Sequence, residues 1–162
     1  MNWGGYGKTA DVSSVLDGTR STLPGIEGDE NTRSFPWTPG IDYQFTISRG
    51  ERGWRSTVVD TSTGERTVIR ELFAGGDRLN GLVVWMEIFA PCDAPATMVR
   101  WSDLAVADDA RGAVHHARSL RTSFPDVDGA CTNNDSRVDG SGWLQVTNDR
   151  RTARTATTLT LK

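Results

Sequence analysis

Residues 43–106 read YQFTISRGERGWRSTVVDTSTGERTVIRELFAGGDRLNGLVVWMEIFAPCDAPATMVRWSDLAV, and this stretch decides the fold. Tyr43-Gln-Phe45-Thr-Ile47 alternates large apolar with polar side chains, and the same alternation runs through 54–60, 67–72, 82–89 and 98–104. A period of two sends one set of side chains to a core and the other to solvent, as in β-strands. Turn-forming clusters separate the runs: Ser48-Arg-Gly-Glu-Arg-Gly53, Ser62-Thr-Gly64-Glu, Gly75-Gly-Asp and Ala90-Pro-Cys-Asp-Ala-Pro95. Short strands at this spacing predict an all-β fold, an antiparallel β-sandwich of the jelly-roll or concanavalin-like kind.

The flanks are less regular. Residues 12–16 suit a short strand, and most of 12–40 reads as polar loop. Residues 110–118 suit a short helix and a strand equally. Residues 125–142 are rich in Asp, Asn and Gly and are expected to be loop, with closing strands over 142–147 and 155–161. The 162 residues fit one domain over 1–162, long enough to bury a core. The chain opens in Met1-Asn-Trp-Gly-Gly-Tyr6-Gly, which resembles a strand end entering a turn. An N-terminal strand is therefore expected to be missing or supplied by a partner. The opening has neither the charged start nor the apolar stretch of a signal peptide.

Composition removes several function classes. Hydrophobic residues are 36% and charged residues 24%, which fits neither a disordered nor a membrane chain. No apolar run approaches the roughly 20 residues of a membrane-spanning helix. A net charge of −3, with no basic stripe, argues against nucleic-acid binding. The basic residues are arginines except Lys8 and Lys162, a skew typical of high-GC bacterial genes.

Cys92 and Cys131 are the two cysteines, each in a polar, turn-like setting, whereas free cysteines favour apolar segments. A disulfide is predicted over two unrelated thiols. It would contribute about 4 kcal/mol in the chain-entropy model, and it implies an oxidising, secreted location.

Read in order, Trp3-Gly-Gly-Tyr6-Gly, Gly25-Ile-Glu-Gly28, Trp37-Thr-Pro-Gly40-Ile-Asp-Tyr43, Val59-Asp-Thr-Ser-Thr-Gly64 and Trp85-Met-Glu87-Ile-Phe89 resemble a family of secreted bacterial β-sandwich domains of unknown function. Such domains are often attached to carbohydrate-active or cell-surface proteins. The resemblance spans most of residues 1–106, with a looser echo at Cys131 and 142–161. It implies an outline similar to concanavalin-like lectins and glucanases and brings no assigned catalytic residues.

Glucanases of that outline carry carboxylates along one strand as Glu-x-Asp-x-x-Glu, because two carboxyl groups must flank the scissile bond. Glu87 has Phe89 where the Asp belongs, and Asp93 follows Pro91. A glycoside hydrolase using Glu87 is therefore the third-ranked reading, behind two binding readings. His115 and His116 are adjacent and on a strand would point to opposite faces, so they cannot share one metal or one serine. No Gly-x-Ser-x-Gly or His-Glu-x-x-His motif occurs. Asp126-Val-Asp128-Gly129 and Asn133-Asn-Asp135…Asp139-Gly140 offer hard oxygen ligands for a structural calcium. The EF-hand spacing is absent, and turn formation is the stronger reading of these residues. Asn134-Asp-Ser136 matches a glycosylation sequon, a triplet that arises often by chance.

Sugar sites pair a flat aromatic ring with planar polar partners. Trp37 in a Pro-rich loop, Trp143 beside a Gly-rich loop and Tyr6 are the expected stacking residues, with Asp29, Asn31 and Asn133 as polar contacts. Trp54, Trp85 and Trp101 fall within predicted strands and are expected in the core. The leading expectation is a secreted lectin-like module for a glycan or cell-surface polymer, without catalysis. The alternative is a protein–protein interaction subunit of a secreted toxin or adhesin-type assembly, with an edge open to strand addition.

Overall fold

The alternating runs become antiparallel strands in the computed structural model, which describes residues 14–15, 35–51, 53–73, 78–79, 81–108 and 110–162. The fold is all-β, with no helix among the described residues. By internal contacts the chain divides into two compact units, Met1–Gly81 and Leu82–Lys162.

In the first unit the strands are β1 (Ser14–Val15), β2 (Tyr43–Arg49), β3 (Trp54–Asp60) and β4 (Arg66–Phe73), in the order β1-β4-β3-β2. The predicted turns close both hairpins. At the β2–β3 end Gly50 donates its N–H to Gly53 at 2.7 Å. At the β3–β4 end the Asp60 carboxylate accepts from the Ser62 and Thr63 amides and the Ser62 hydroxyl, and Gly64 takes a φ of +75°. Register sets Phe45 opposite Val58 and Ile47 opposite Ser56. This apolar face buries Val58, and Ile69 is buried where the β3–β4 register shifts. Strand β2 forms the outer edge, pairing only with β3 among the described residues, and its Phe45 and Ile47 stay partly exposed.

The other face of this sheet holds a buried carboxylate. Glu71 lies directly across from Arg55 and accepts from its Nη2 at 2.6 Å and its Nε at 3.0 Å, while its other oxygen takes the Gly53 N–H at 3.1 Å. Charge-assisted, two-pronged bonding of this kind offsets the cost of burying a carboxylate. The carboxylate also presses on Gly50, where a Cβ would fall 2.3 Å from Oε1. Glycine is the residue that fits.

The second unit contains β5 (Met98–Ser102), β6 (Ala105–Asp108), β7 (Ala113–His116), β8 (Ser119–Arg121), β9 (Asn134–Asp139), β10 (Gly142–Thr147) and β11 (Thr158–Thr160). They form a three-stranded sheet β5-β10-β9 and two ribbons, β6-β7 and β8-β11. Residues 110–118 thus resolve into a hairpin rather than a helix. Two expectations are corrected. Residues 134–139, expected as loop, are strand β9. Residues 82–89, expected as a strand, belong to no sheet. The β9–β10 turn is two residues long, with Gly140 at a φ of +59° supplying the backbone angle the hairpin needs.

Polar groups organise this unit as much as apolar ones. Asp135 is buried and accepts the Thr152 and Ala153 amides at 3.0 Å each and the Thr152 hydroxyl at 2.7 Å. Burial pushes its carboxyl pKa up, but the hydrogen bonds from Ala153, Thr152 and Ser136 outweigh that and hold it below the usual carboxylate range. Arg137 joins Asp149 at 2.8 Å, and that bond lowers the Asp149 pKa. Cys92 and Cys131 form the predicted disulfide, with Cα atoms 5.4 Å apart.

Candidate functional site

The first candidate is aromatic and belongs to the first unit. Thr38-Pro-Gly40 makes a turn, with Gly40 at a φ of +83° and the Ile41 N–H on the Thr38 carbonyl. The chain before it folds back beside β2, where the Tyr43 hydroxyl accepts the Thr38 N–H at 3.0 Å. Trp37 thereby lies against Tyr43 at 4.8 Å between ring centroids, nearly edge-on, and tilts over Phe45 at 5.4 Å. Phe35 closes the group, 4.8 Å from Trp37 and 5.6 Å from Tyr43. Edge-to-face contacts at these distances hold rings in fixed orientations. Trp37 nevertheless keeps 46% of its surface in solvent. The cluster is a preorganised aromatic surface at a sheet edge. Alternation along β2 made its strand part legible; the contribution of Phe35 was not foreseen.

The second candidate is a shallow polar groove in the other unit, lined by Thr132, Asn133, Asn148, Asp149, Arg150 and Arg151. Most of its polar groups are already engaged. Asn133 donates to the Cys92 carbonyl at 2.6 Å and to the Asn148 side chain at 3.2 Å, and Asn148 donates to Ala94 at 3.1 Å. Arg151 stacks over Phe124 and donates to the Cys131 carbonyl and the Asn134 side chain. These bonds knit the loops around the disulfide, so Asn133 acts here as a loop tie.

The expected site residues are thus dispersed. Tyr6, Asp29 and Asn31 lie outside the described residues. Trp143 is corrected: it keeps only 2% of its surface exposed, and its indole N–H donates to the Leu159 carbonyl at 3.1 Å, leaving no face for a sugar. Trp85 is corrected in the opposite sense, being 59% exposed where core was expected. Trp101 is half-buried and donates to Gln145 at 2.8 Å, and Trp54 is half-buried under the Arg49 guanidinium.

Glu87 is exposed in a segment without strand pairing, so the strand-borne row of carboxylates that glucanases of this outline use is not formed. His115 and His116 are exposed on β7, and His116 Nδ1 lies 3.0 Å from Asp103. Among the described residues no group of three or more His, Cys, Asp or Glu side chains converges as metal ligands. Asp126 and Asp128 are exposed, and Asp135 is committed to the 152–153 backbone. No described helix is long and apolar enough to cross a membrane.

Comparison of the chain with protein-family models, with curated proteins and with solved structures finds no match.

Proposed function

We propose that the protein is a secreted, non-catalytic β-sandwich module that binds a glycan or cell-surface polymer through the aromatic surface built on Trp37. The carrying observation is that Trp37 is wedged among Phe35, Tyr43 and Phe45 yet keeps nearly half its surface open. A ring held in place loses little entropy when a sugar packs its C–H face on it. The disulfide supports the extracellular part of the reading, since such bonds persist in oxidising compartments. The sandwich part is supported by the four-stranded antiparallel sheet, whose alternation sets Phe45, Ile47 and Val58 on one face. Kinship with the secreted β-sandwich family is part of the same proposal and rests on the order of motifs alone.

The test is a glycan-array screen of the oxidised chain beside Trp37→Ala. Specific binding lost in the variant establishes the reading and its site. A blank array with well-folded protein removes it. The second reading, an interaction subunit of a secreted toxin or adhesin-type assembly, would then lead. What favours it is strand β2, which pairs only with β3 among the described residues and leaves Phe45 and Ile47 partly exposed, because an edge strand can accept an added strand. A pull-down from culture supernatant tests it.

A further inference from the structure

The aromatic surface on Trp37 lies at an end of its sheet where acidic residues gather. Tyr43 opens β2, Asp60 closes β3 and Arg66 opens β4, and antiparallel pairing brings these three ends together. The Asp42 carbonyl accepts the Thr61 N–H at 3.1 Å, and the Glu65 carbonyl accepts the Asp60 N–H at 3.0 Å. Asp42, Asp60 and Glu65 thus gather at these strand ends, where Arg66 is the one basic residue. Of the three carboxylates, Asp60 alone lies within a strand, and it is the cross-strand partner of Tyr43 as Val58 is of Phe45. Directly opposed side chains share a face of the sheet, with Cβ atoms about 4.5–5.5 Å apart. Asp60 therefore belongs to the aromatic face.

One oxygen of that carboxylate is committed to the turn: Oδ1 accepts the Ser62 hydroxyl at 2.6 Å and the Ser62 and Thr63 amides at 2.8 and 3.2 Å. The Ser62 hydroxyl bond, with these amides, holds the carboxyl below its usual range, so it is charged at neutral pH. The other oxygen, Oδ2, has no donor among the described residues. Two donors on the aromatic side are open as well. The Tyr43 hydroxyl accepts the Thr38 N–H and keeps its own proton for a ligand, and the Trp37 indole N–H meets no acceptor among the described residues. The surface thus presents flat rings at Trp37 and at Phe45, which is 39% exposed, with two neutral donors and one fixed negative charge. Stacking alone discriminates poorly between sugars, because many rings offer a C–H face. The charge discriminates.

We propose that the glycan recognised here carries protonated amines: an amino sugar without its N-acetyl group, its ring on Trp37 and its ammonium on Asp60 Oδ2. The inference rests on the glycan reading of the Trp37 surface and names the sugar class that surface selects. An ammonium donates to a carboxylate in a charge-assisted hydrogen bond. The electron-rich ring faces attract the same cation. A neutral sugar gains neither contribution. An acidic sugar is repelled by Asp60, with Asp42 and Glu65 beside it, and repulsion of the wrong ligand is as much a source of specificity as attraction of the right one.

Isothermal titration calorimetry of the oxidised full chain at low ionic strength tests it with three oligosaccharides of equal length and linkage, built from glucosamine, N-acetylglucosamine and glucose. The glucosamine oligomer should bind tighter than the other two by about fivefold, the scale of an exposed ion pair. Asp60→Asn keeps the oxygen that the turn amides need, and circular dichroism checks that it folds; it should bind the glucosamine oligomer no better than the neutral ones. Trp37→Ala should lose all three. Asp126→Asn, which removes an exposed carboxylate of the other unit, should keep the preference, and this separates Asp60 from a general attraction of a polycation to an acidic protein. Neutral oligomers that bind as tightly as glucosamine overturn the inference and leave the glycan reading standing. So does a preference that survives Asp60→Asn or Trp37→Ala, or one lost in Asp126→Asn. So does a blank with glucosamine beside Trp37-dependent hits for other sugars on a glycan array. A blank array from folded protein removes both.

Discussion

Replacing Asp135 by alanine removes the acceptor that pins residues 152–153 to β9. The carboxylate takes two backbone N–H groups at 3.0 Å and one hydroxyl at 2.7 Å, and it is buried. Hydrogen bonds to a charged acceptor contribute about 1.5–3 kcal/mol each, and they do not add fully. The Thr152 hydroxyl can turn to water, since Thr152 is exposed, but the Ala153 N–H is buried. The expected loss at pH 7 is about 3–5 kcal/mol for Asp135→Ala, and about 1–2 kcal/mol for Asp135→Asn, which keeps one acceptor. The pH dependence follows from the depressed folded-state pKa. Stabilisation by Asp135 is fully present above the unfolded value of about 3.9 and is lost as pH falls through the folded value. The Asp149 carboxyl, lowered first by its Arg137 bond, works in the same direction. Urea unfolding followed by circular dichroism at pH 7, and again stepwise below pH 4, measures both effects. A loss under about 1 kcal/mol at pH 7 would mean that the buried Ala153 N–H finds another acceptor, and an undiminished gap between wild type and alanine variant near pH 2 would mean that the Asp135 charge contributes nothing.

Three further variants probe other parts of the fold by the same urea titration. Gly50→Ala should cost about 2–3 kcal/mol, because its Cβ meets a Glu71 carboxylate that Arg55 and the Gly53 N–H hold in place; a near-neutral result would mean the carboxylate moves freely. Gly142→Ala should cost a similar amount, about 1–3 kcal/mol, since its Cβ would come 2.5 Å from the Trp101 carbonyl across the ladder. Replacing both Cys92 and Cys131 by serine should lower stability by about 4 kcal/mol for a loop of sequence separation 39; an unchanged midpoint would show that the crosslink leaves the unfolded chain unconstrained.

The strands that can be read from the chain are those whose alternation is apolar on one side. Strand β3, with Val58 inward, and β10, with Val146 inward, fall where the pattern places them. Strand β9 was illegible because Asn134-Asp-Ser-Arg-Val-Asp139 carries almost no apolar signal; its place is fixed by Asp135 and Arg137 bonding to residues far along the chain. Residues 82–89 show the opposite failure, since alternation reports a tendency to pair and says nothing about whether a partner strand is at hand. At the candidate site, the exposure of Trp37 was legible from its proline-rich loop. Trp143 misled because a glycine-rich flank suggested exposure. The flanking glycine, Gly142, instead lets strand β10 approach the Trp101 backbone closely.

The Cys92–Cys131 bond also decides how this chain behaves when it is cut. Between the two cysteines lies the β6–β7 hairpin, and at its tip Arg111 has a largely exposed side chain followed by Gly112 at a φ of +63°. That tip offers trypsin-like proteases an accessible bond. Cleavage there would leave two fragments joined through sulfur, migrating as one species without reductant and as two with it. A nicked molecule would keep β5 and β10 hydrogen-bonded within one covalent body.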